Sequence, residues 1–559
     1  MNTGNSSIMR FFHLKLNIFL ILSFLIFGFL FWHFAKEMLI VEKDGLYVGQ
    51  VNLYGDLVLH LSFINKFLES GKILPDSPIF AQSKINYPIF ADFTTAQIAK
   101  LTSVDFALFI TTFLTGLLVI YVARIFILNF IKSEKVVFLT LLIFFLNGGF
   151  GFIYFFQDYA NSQKSITDFL FSMPNEYTDI KEKGYWWINS FLAYFLPQRG
   201  FLFAFPITLT ILTLLYTGFK KNRSYLFVIA GLLSGVLPLV HVHSLFLIFL
   251  VSLMYFPLSV IFSKEPERKN IIISWAIFAA LTALLSIPII KTISQDTNPL
   301  RFIRLDPGWT SKENIILFWG KNLGIFAPIL TVALVWVYKN NKKLFSLYLP
   351  FAAIFIISNI FVFQPWEFDN SKLLIYWYFA SSIIVAYFMY EFFFAEGLVR
   401  KTLGVALIFF MVFASFLDIF RTFTPVTSYQ IFSKEDIAIA NSVKFLTNKN
   451  GTFVTAPIQN HPIPALSGRS TLVGYHGWLW THGIDYTNRA QDVKKIYAGE
   501  NFENLISKYR ISYVTVGPHE TNDFTINQKN LANYPRIILS QNWSLYDVSN
   551  IWANGNGQN

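Results

Sequence analysis

The chain has 559 residues, of which 54% are hydrophobic and only 14% are charged, and its formal net charge is +11. Soluble domains carry about 25% charged residues, so this composition excludes an ordinary soluble protein. The basic residues gather in short clusters between long apolar runs, where membrane orientation places them, and nucleic acid is therefore excluded as a partner. The absence of cysteine excludes disulfides and thiol chemistry.

Long apolar runs predict about eleven membrane-spanning helices, since a span needs about 20 mostly apolar residues. The first run, residues 17–32, has no cleavage site behind it, which favours a retained span over a signal peptide. The run 224–263 is too long for one crossing and is divided near Pro238. The remaining predicted spans are residues 106–123, 136–156, 200–219, 271–290, 315–338, 344–363, 373–390 and 402–417.

The basic residues predict how these spans are oriented. Arg10 and Lys15 precede the first span, and every second connection after it is short and basic, as at Lys220 and Lys221. Short basic connections face the cytoplasm. An N-terminus inside and an odd number of spans then place everything after Leu417 outside the cell.

The outer side carries the longest non-spanning segments. In the first outer loop, residues 36–104, the apolar periodicity of 57–67 and 93–101 predicts two helices lying along the membrane surface. The tail, residues 423–559, reads as a small extracytoplasmic α/β domain that follows an all-α polytopic membrane domain, residues 1–422. Its predicted helices are 434–446, 485–497 and 502–509, and its predicted strands are 452–456, 511–516, 537–539 and 544–548.

Two acidic residues of the first outer loop are candidates for chemistry. Asp56 and His60 stand four residues apart, so a helix places them on one face. A carboxylate beside an imidazole can accept a proton or hold a divalent cation, and the alternative is a solvated polar face. Asp92 follows the segment from Tyr87 to Ala91, and a helix cap is its favoured interpretation, because Asp is a strong N-cap.

Polar residues next to later spans form a second group of candidates. Gln198 and Arg199 open an outer span end, where an arginine either binds phosphate or anchors the helix in the interface. His241 and His243 lie inside the long run 224–263. They either face a cavity, as costly polar groups in membranes do, or form a polar hairpin tip at the surface, and two histidines are too few to claim a metal.

The last two outer connections contribute charged residues. Glu367, Asp369 and Lys372 cluster between two spans, either as a binding site or as a salt-bridged loop. Arg301 and Arg304 fit a phosphate clamp, because guanidinium matches phosphate geometry.

This layout resembles the GT-C superfamily of integral membrane glycosyltransferases in its prokaryotic branches. The resemblance covers the whole architecture and rests on Gly55-Asp56 in a long first loop, Gln198-Arg199, His241-Val242-His243 and the segment from Gln364-Pro365-Trp366 to Lys372. It implies that Asp56 is the catalytic acid, acting as a base or through a metal, and that the donor is a polyprenyl-phosphate sugar.

Two differences separate the chain from known branches of that superfamily. Its first loop lacks the paired Asp-Glu of protein mannosyltransferases. Its tail has Gly477-Trp478-Leu479-Trp480-Thr481-His482-Gly483 where oligosaccharyltransferases have Trp-Trp-Asp-Tyr-Gly. These differences argue against both specific activities.

The sequence therefore predicts glycosyl transfer from a polyprenyl-phosphate sugar to a glycan, lipid or protein acceptor at the outer face of the membrane. Asp56 is the expected catalytic residue, and the need for a divalent cation is left open. The expected substrate-binding residues are His60, Asp92, Gln198, Arg199, His241, His243, Arg301, Arg304, Glu367, Asp369 and Lys372.

Two other functions compete with this hypothesis. One is a transporter or flippase for a lipid-linked glycan, although transporters typically carry repeats and midplane polar sites, whereas the polar candidates here gather on one side. The other is a non-catalytic membrane assembly protein, which would not require outer acidic and basic clusters to converge.

Overall fold

The computed structural model describes residues 17–295, 297, 302–395 and 397–553. Up to residue 421 the chain is a helical bundle with two short antiparallel strand pairs. Its helices are α1 (Ile18–Glu37), α2 (Leu53–Ser70), α3 (Phe90–Ala99), α4 (Val104–Leu128), α5 (Glu134–Phe145), α6 (Phe152–Ser162), α7 (Ile166–Leu170), α8 (Arg199–Lys221), α9 (Ser224–Val236), α10 (Val242–Phe262), α11 (Glu265–Ile293), α12 (Ile315–Leu323), α13 (Phe326–Asn340), α14 (Lys342–Ser358), α15 (Ser371–Met389) and α16 (Leu398–Arg421). Its strands are β1 (Ile40–Glu42), β2 (Gly45–Val48), β3 (Arg304–Leu305) and β4 (Phe361–Val362).

Seven helices within the described residues are long and apolar enough to cross a membrane, and an eighth span results if α12 and α13 count as one. The seven are α1, α4, α8, α10, α11, the helix Glu367–Phe394 that contains α15, and α16. The predicted division of 224–263 is confirmed, because α9 ends before Pro238 and α10 begins at Val242. The predicted number of eleven spans is not confirmed.

Glycines explain why two predicted spans are broken. Gly324 has a φ of +56°, which glycine tolerates, and the chain bends by 95° there between α12 and α13. In the run 136–156, α5 ends at Phe145 and α6 begins only at Phe152. Between them a Cβ on Gly149 would lie 2.2 Å from the carbonyl oxygen of Lys321, so the two interruptions pack against each other.

The two helices predicted in the first outer loop are present as α2 and α3, but α2 does not lie half exposed. Every residue of α2 from 57 to 67 is buried. The helix packs against α3 on one side and against the tail on another. The expectation that it rests on the membrane surface is therefore wrong for α2, because protein encloses it.

The tail forms a five-stranded mixed sheet with helices around it. The strand order is β7-β6-β8-β10-β9, with β6 parallel to β7 and β8, and β10 antiparallel to β8 and β9. The predicted helix 434–446 and strand 511–516 have the predicted bounds. The tail's elements are β5 (Tyr429–Ser433), α17 (Lys434–Leu446), β6 (Thr452–Val454), α18 (Pro462–Leu466), β7 (Ser470–Thr471), α19 (His476–Thr481), α20 (Thr487–Ala498), α21 (Phe502–Lys508), β8 (Ile511–Val516), α22 (Pro518–Asp523), α23 (Gln528–Leu531), β9 (Arg536–Ile538), β10 (Ser544–Asp547) and α24 (Asn550–Ala553).

The tail is joined to the first outer loop through both backbone and side chains. Strand β5 pairs antiparallel with β2, which extends the β1–β2 hairpin to three strands. Two side chains near the end of α2 also contact the tail. The carboxylate of Glu69 lies 3.0 Å from the guanidinium of buried Arg469, and the buried amine of Lys66 donates to the hydroxyl of Ser470 at 2.8 Å. These bonds hold the tail against the first outer loop along the length of α2.

Candidate functional site

The site begins at Asp56, in the first turn of α2 and half buried. Burial raises the pKa of its carboxyl above the usual value, while the charges of His60 and Lys372 act against that rise. A carboxylate with a raised pKa is a better proton acceptor than an exposed one. Asp56 therefore has the electrostatic character of a general base.

His60 lies one helical turn from Asp56 but is bonded elsewhere. Its Nδ1 donates to both carboxylate oxygens of Asp92, at 3.0 and 2.9 Å, and both side chains are buried. An ionised carboxylate can only accept hydrogen bonds, so Nδ1 of His60 carries the proton in this pair. Asp92 thus fixes the orientation of His60.

Arg199 completes this buried group. Its Nε lies 3.7 Å from Asp92, and its two terminal nitrogens donate to Thr95, Thr111 and Thr112 at 2.6 to 3.2 Å. The side chain is fully buried. In this structure Arg199 neutralises Asp92 and is committed to the threonines of α3 and α4.

These contacts revise two expectations. The cap interpretation of Asp92 is wrong, because the residue lies inside the first turn of α3, makes no cap bond and instead bonds His60. Arg199 is neither exposed at an interface nor open to a phosphate. Its neighbour Gln198 is half buried, and Oε1 of Gln198 has no hydrogen-bond partner among the described residues.

The two histidines before and in α10 are not a surface hairpin tip. Nδ1 of the buried His241 lies 2.8 Å from the hydroxyl of Ser244, which also contacts the hydroxyl of Tyr376. The amide of Gln364 donates to Nε2 of His243 at 2.9 Å. The surface-tip interpretation is therefore wrong, because His241 is buried and His243 bonds the side chain of Gln364.

The connection before α15 both forms salt bridges and faces the site. The amine of Lys372 lies 3.0 Å from Asp369, and both side chains are largely buried. The charge of Lys372 acts on Asp56 and on His241. Lys372 is therefore a cation placed among the candidate residues.

The remaining candidates of this region that the structure describes lie at the protein surface. Arg304 is exposed, contacts Asp306 and Glu367 at 3.4 and 3.8 Å, and donates to the carbonyl of Gln364 at 3.0 Å. Glu367 is 42% exposed and belongs to this surface salt-bridge group. Arg301 lies outside the described residues.

Two residues that the sequence did not single out join the site. The ring of Tyr87 packs between those of His60 and His482, with centroids 5.9 and 5.0 Å apart. Burial, and then the charges of Lys372 and His60, lower the pKa of His482 to about 3, so this ring is neutral at physiological pH. His482 was visible in the sequence only as one polar residue in the aromatic segment 477–483.

The need for a divalent cation was left open by the sequence. Among the residues that the structure describes, no group of three or more His, Cys, Asp or Glu side chains could hold one.

The arrangement of the bundle and tail matches solved membrane enzymes. The apo oligosaccharyltransferase of Archaeoglobus fulgidus superposes with a TM-score of 0.52 and 10% identity over 90% of this chain and 70% of that chain. ArnT from Cupriavidus metallidurans, solved bound to undecaprenyl phosphate, superposes with a TM-score of 0.51 and 11% identity over 95% of this chain and 98% of that chain. The chain has the GT-C fold. The fold that the resemblance implied is confirmed, and the apolar helices make the chain an integral membrane protein.

No protein-family model and no curated protein sequence matches the chain.

Proposed function

We propose that this chain transfers a sugar from a polyprenyl-phosphate-linked donor to an acceptor hydroxyl at the outer face of the membrane. The supporting observation is the convergence of a half-buried carboxylate, Asp56, with a cation, Lys372, at one end of a GT-C bundle. The neighbour solved with undecaprenyl phosphate supports the class of donor. A transporter is less well supported, because these groups lie at the end of the bundle and not at its midplane.

The proposed reaction assigns one role to each of these groups. Asp56 takes the proton of the acceptor hydroxyl, the freed oxygen attacks the anomeric carbon of the donor, and the polyprenyl phosphate leaves with the electrons of its bond to the sugar. Lys372 faces the departing phosphate and stabilises its developing charge. His60 is held in place by Asp92. Its ring orients Asp56 and acts electrostatically on the carboxyl of Asp56.

A donor assay tests this function. The purified protein should release polyprenyl phosphate from a labelled polyprenyl-phosphate hexose or pentose and transfer the label to an acceptor. Lys372→Ala should raise KM for the donor at least about tenfold, because a charged contact to phosphate contributes roughly 1.5–3 kcal/mol. Lys372→Arg should recover part of the loss.

The matched control for this assay is Lys529→Ala, which removes an exposed lysine of α23. Equal donor KM values for Lys372→Ala and Lys529→Ala would remove Lys372 from the site. No donor consumption with any sugar would contradict the proposed function itself.

The proposed location has its own test. Reporter fusions after Asn222 and Asn340 should signal cytoplasm, and fusions after Ser172 and Asn450 should signal the exterior. The structure supports pairing the first two sites, since the amine of Lys343, close to Asn340, lies over the ring of Tyr216, near the end of α8. A cytoplasmic signal at Asn450 would contradict the orientation and the outer-face assignment.

A further inference from the structure

The tail approaches the catalytic acid through Gln459. A Cβ placed on Gly55 would lie 2.7 Å from Nε2 of Gln459. The amide of Gln459 therefore lies over the bare backbone of Gly55, one residue away from Asp56. Gln459 is half buried, in the segment between β6 and α18.

That segment is fixed from both sides by one buried carboxylate. Oε1 of Glu520 accepts hydrogen bonds from the backbone amide of Ala456, at 2.9 Å, and from Nε2 of His461, at 2.8 Å. Both Glu520 and His461 are buried. The amide of Asn460 also donates to the carbonyl of Ile431 at 3.2 Å. Gln459 is therefore presented by an anchored segment, as a ligand-positioning group requires.

Three tyrosines from different elements lie together at the start of α2, next to Gly55. Tyr54 packs edge-to-face on Tyr429, with ring centroids 4.8 Å apart. Burial, followed by the proximity of Tyr429 and Tyr475, raises the pKa of Tyr54. Tyr429 is 43% exposed, and Tyr54 and Tyr475 are half buried. The three form an accessible surface of aromatic rings with phenolic hydroxyls.

The helix geometry places Gln459 between this aromatic surface and the acid. Residues 54 and 56 point about 160° apart around α2, and Gly55 lies between them. Because Gly55 has no side chain, the amide of Gln459 packs directly against the backbone of α2 between Tyr54 and Asp56.

We propose that the acceptor is a neutral glycan, held on Tyr54, Tyr429 and Tyr475 and positioned at its reacting hydroxyl by Gln459. The inference rests on the proposed function, of which it specifies the acceptor. Aromatic rings with polar tips pack against the apolar faces of sugar rings, and a glutamine amide both donates to and accepts from hydroxyls. An acceptor with a charged phosphate headgroup would call for cations on this surface, and these four side chains supply none.

An acceptor competition tests this proposal. The purified full-length protein receives labelled donor together with neutral oligosaccharides (maltohexaose, cellohexaose and chitohexaose), serine- and asparagine-containing peptides, and phosphatidylethanolamine vesicles. The label should appear in an oligosaccharide. Label that appears only in peptide, in lipid or in free sugar overturns the glycan inference and leaves sugar transfer from the donor intact. A donor that is not consumed at all overturns the proposed function, and the inference with it.

A substitution separates positioning by Gln459 from a merely structural role. Gln459→Ala should raise KM for the oligosaccharide about tenfold, the effect of roughly 1.4 kcal/mol of lost binding, with a much smaller change in kcat and in donor KM. The matched control is Gln528→Ala, since Gln528 is exposed on α23. Gly55→Ala should also raise the acceptor KM, because the new methyl group would meet the amide of Gln459. Equal acceptor KM values in the parent, Gln459→Ala and Gln528→Ala would overturn the positioning role.

Discussion

Replacing Asp56 with asparagine is expected to lower turnover at least about a hundredfold, the low end for loss of a general base. Asparagine has nearly the same size and still forms hydrogen bonds, but it cannot take a proton. Asp56 is half buried, and its carboxyl has no hydrogen-bond or ion-pair partner among the described residues, so expression and thermal stability should stay at the parent level. The measurement is kcat with a labelled polyprenyl-phosphate sugar.

The pH dependence supplies a second readout for the same residue. Burial raises the pKa of Asp56, so the acidic limb of the kcat/KM profile should lie above the ordinary aspartate value of about 3.9. Activity is present above that pKa, where the base is ionised, and is lost as the pH falls through it. An acidic limb below this value would indicate that another group acts as the base.

Asp369→Asn is the matched comparison for Asp56→Asn. Asp369 lies in the same site, but its carboxylate is paired with Lys372 at 3.0 Å. Its substitution should mainly affect donor binding, through the freed lysine. Normal turnover of Asp56→Asn together with an inactive Asp369→Asn would move the base to Asp369. His60→Ala should cost less than Asp56→Asn, since His60 orients the site and does not accept the acceptor's proton.

Local signals explain which parts of the structure were predictable. The capping box that Ser433 and Asp436 form at the start of α17, and the β-branched alternation of 511–516, are properties of neighbouring residues. Their elements were predicted correctly. The breaks in the spans at Gly149 and Gly324 were not predicted. Hydropathy counts glycine as part of an apolar run, and it carries no information on the close approach of two backbones that glycine allows.

The residues of the proposed site could be named from the sequence, but their pairing could not. The charge of Lys372 acts on both Asp56 and His241, so these three candidates lie near one another. The partners of Asp92 and Arg199 are decided by contacts between α2, α3, α4 and α8, which no spacing in the sequence encodes. The same holds for Gln459 and His482, which reach the site because the tail packs against the first outer loop.

The buried pairing of Arg199 yields the second large effect, on stability and not on catalysis. Breaking a buried ion pair by removing one partner typically costs about 3–5 kcal/mol, because the other charge is left uncompensated. Arg199→Met keeps the apolar stem but leaves Asp92 facing only His60, and the hydroxyls of Thr95, Thr111 and Thr112 lose their donor. The thermal midpoint of the detergent-purified protein should therefore fall by several degrees. Asp92→Asn should also lower it, since the carboxylate between His60 and Arg199 would then be neutral.

Arg304→Met is the control for the stability loss expected of Arg199→Met. Arg304 is 40% exposed, and surface ion pairs contribute about 0–1 kcal/mol, so its loss should leave the midpoint near the parent value. The Arg199 and Asp92 substitutions should be strongly non-additive, because either one alone already breaks the shared contact. If Arg199→Met instead kept the parent midpoint while raising KM for the donor, the guanidinium would be binding the donor phosphate. The buried arrangement of Arg199 with Asp92 would then not be the state in which the protein works.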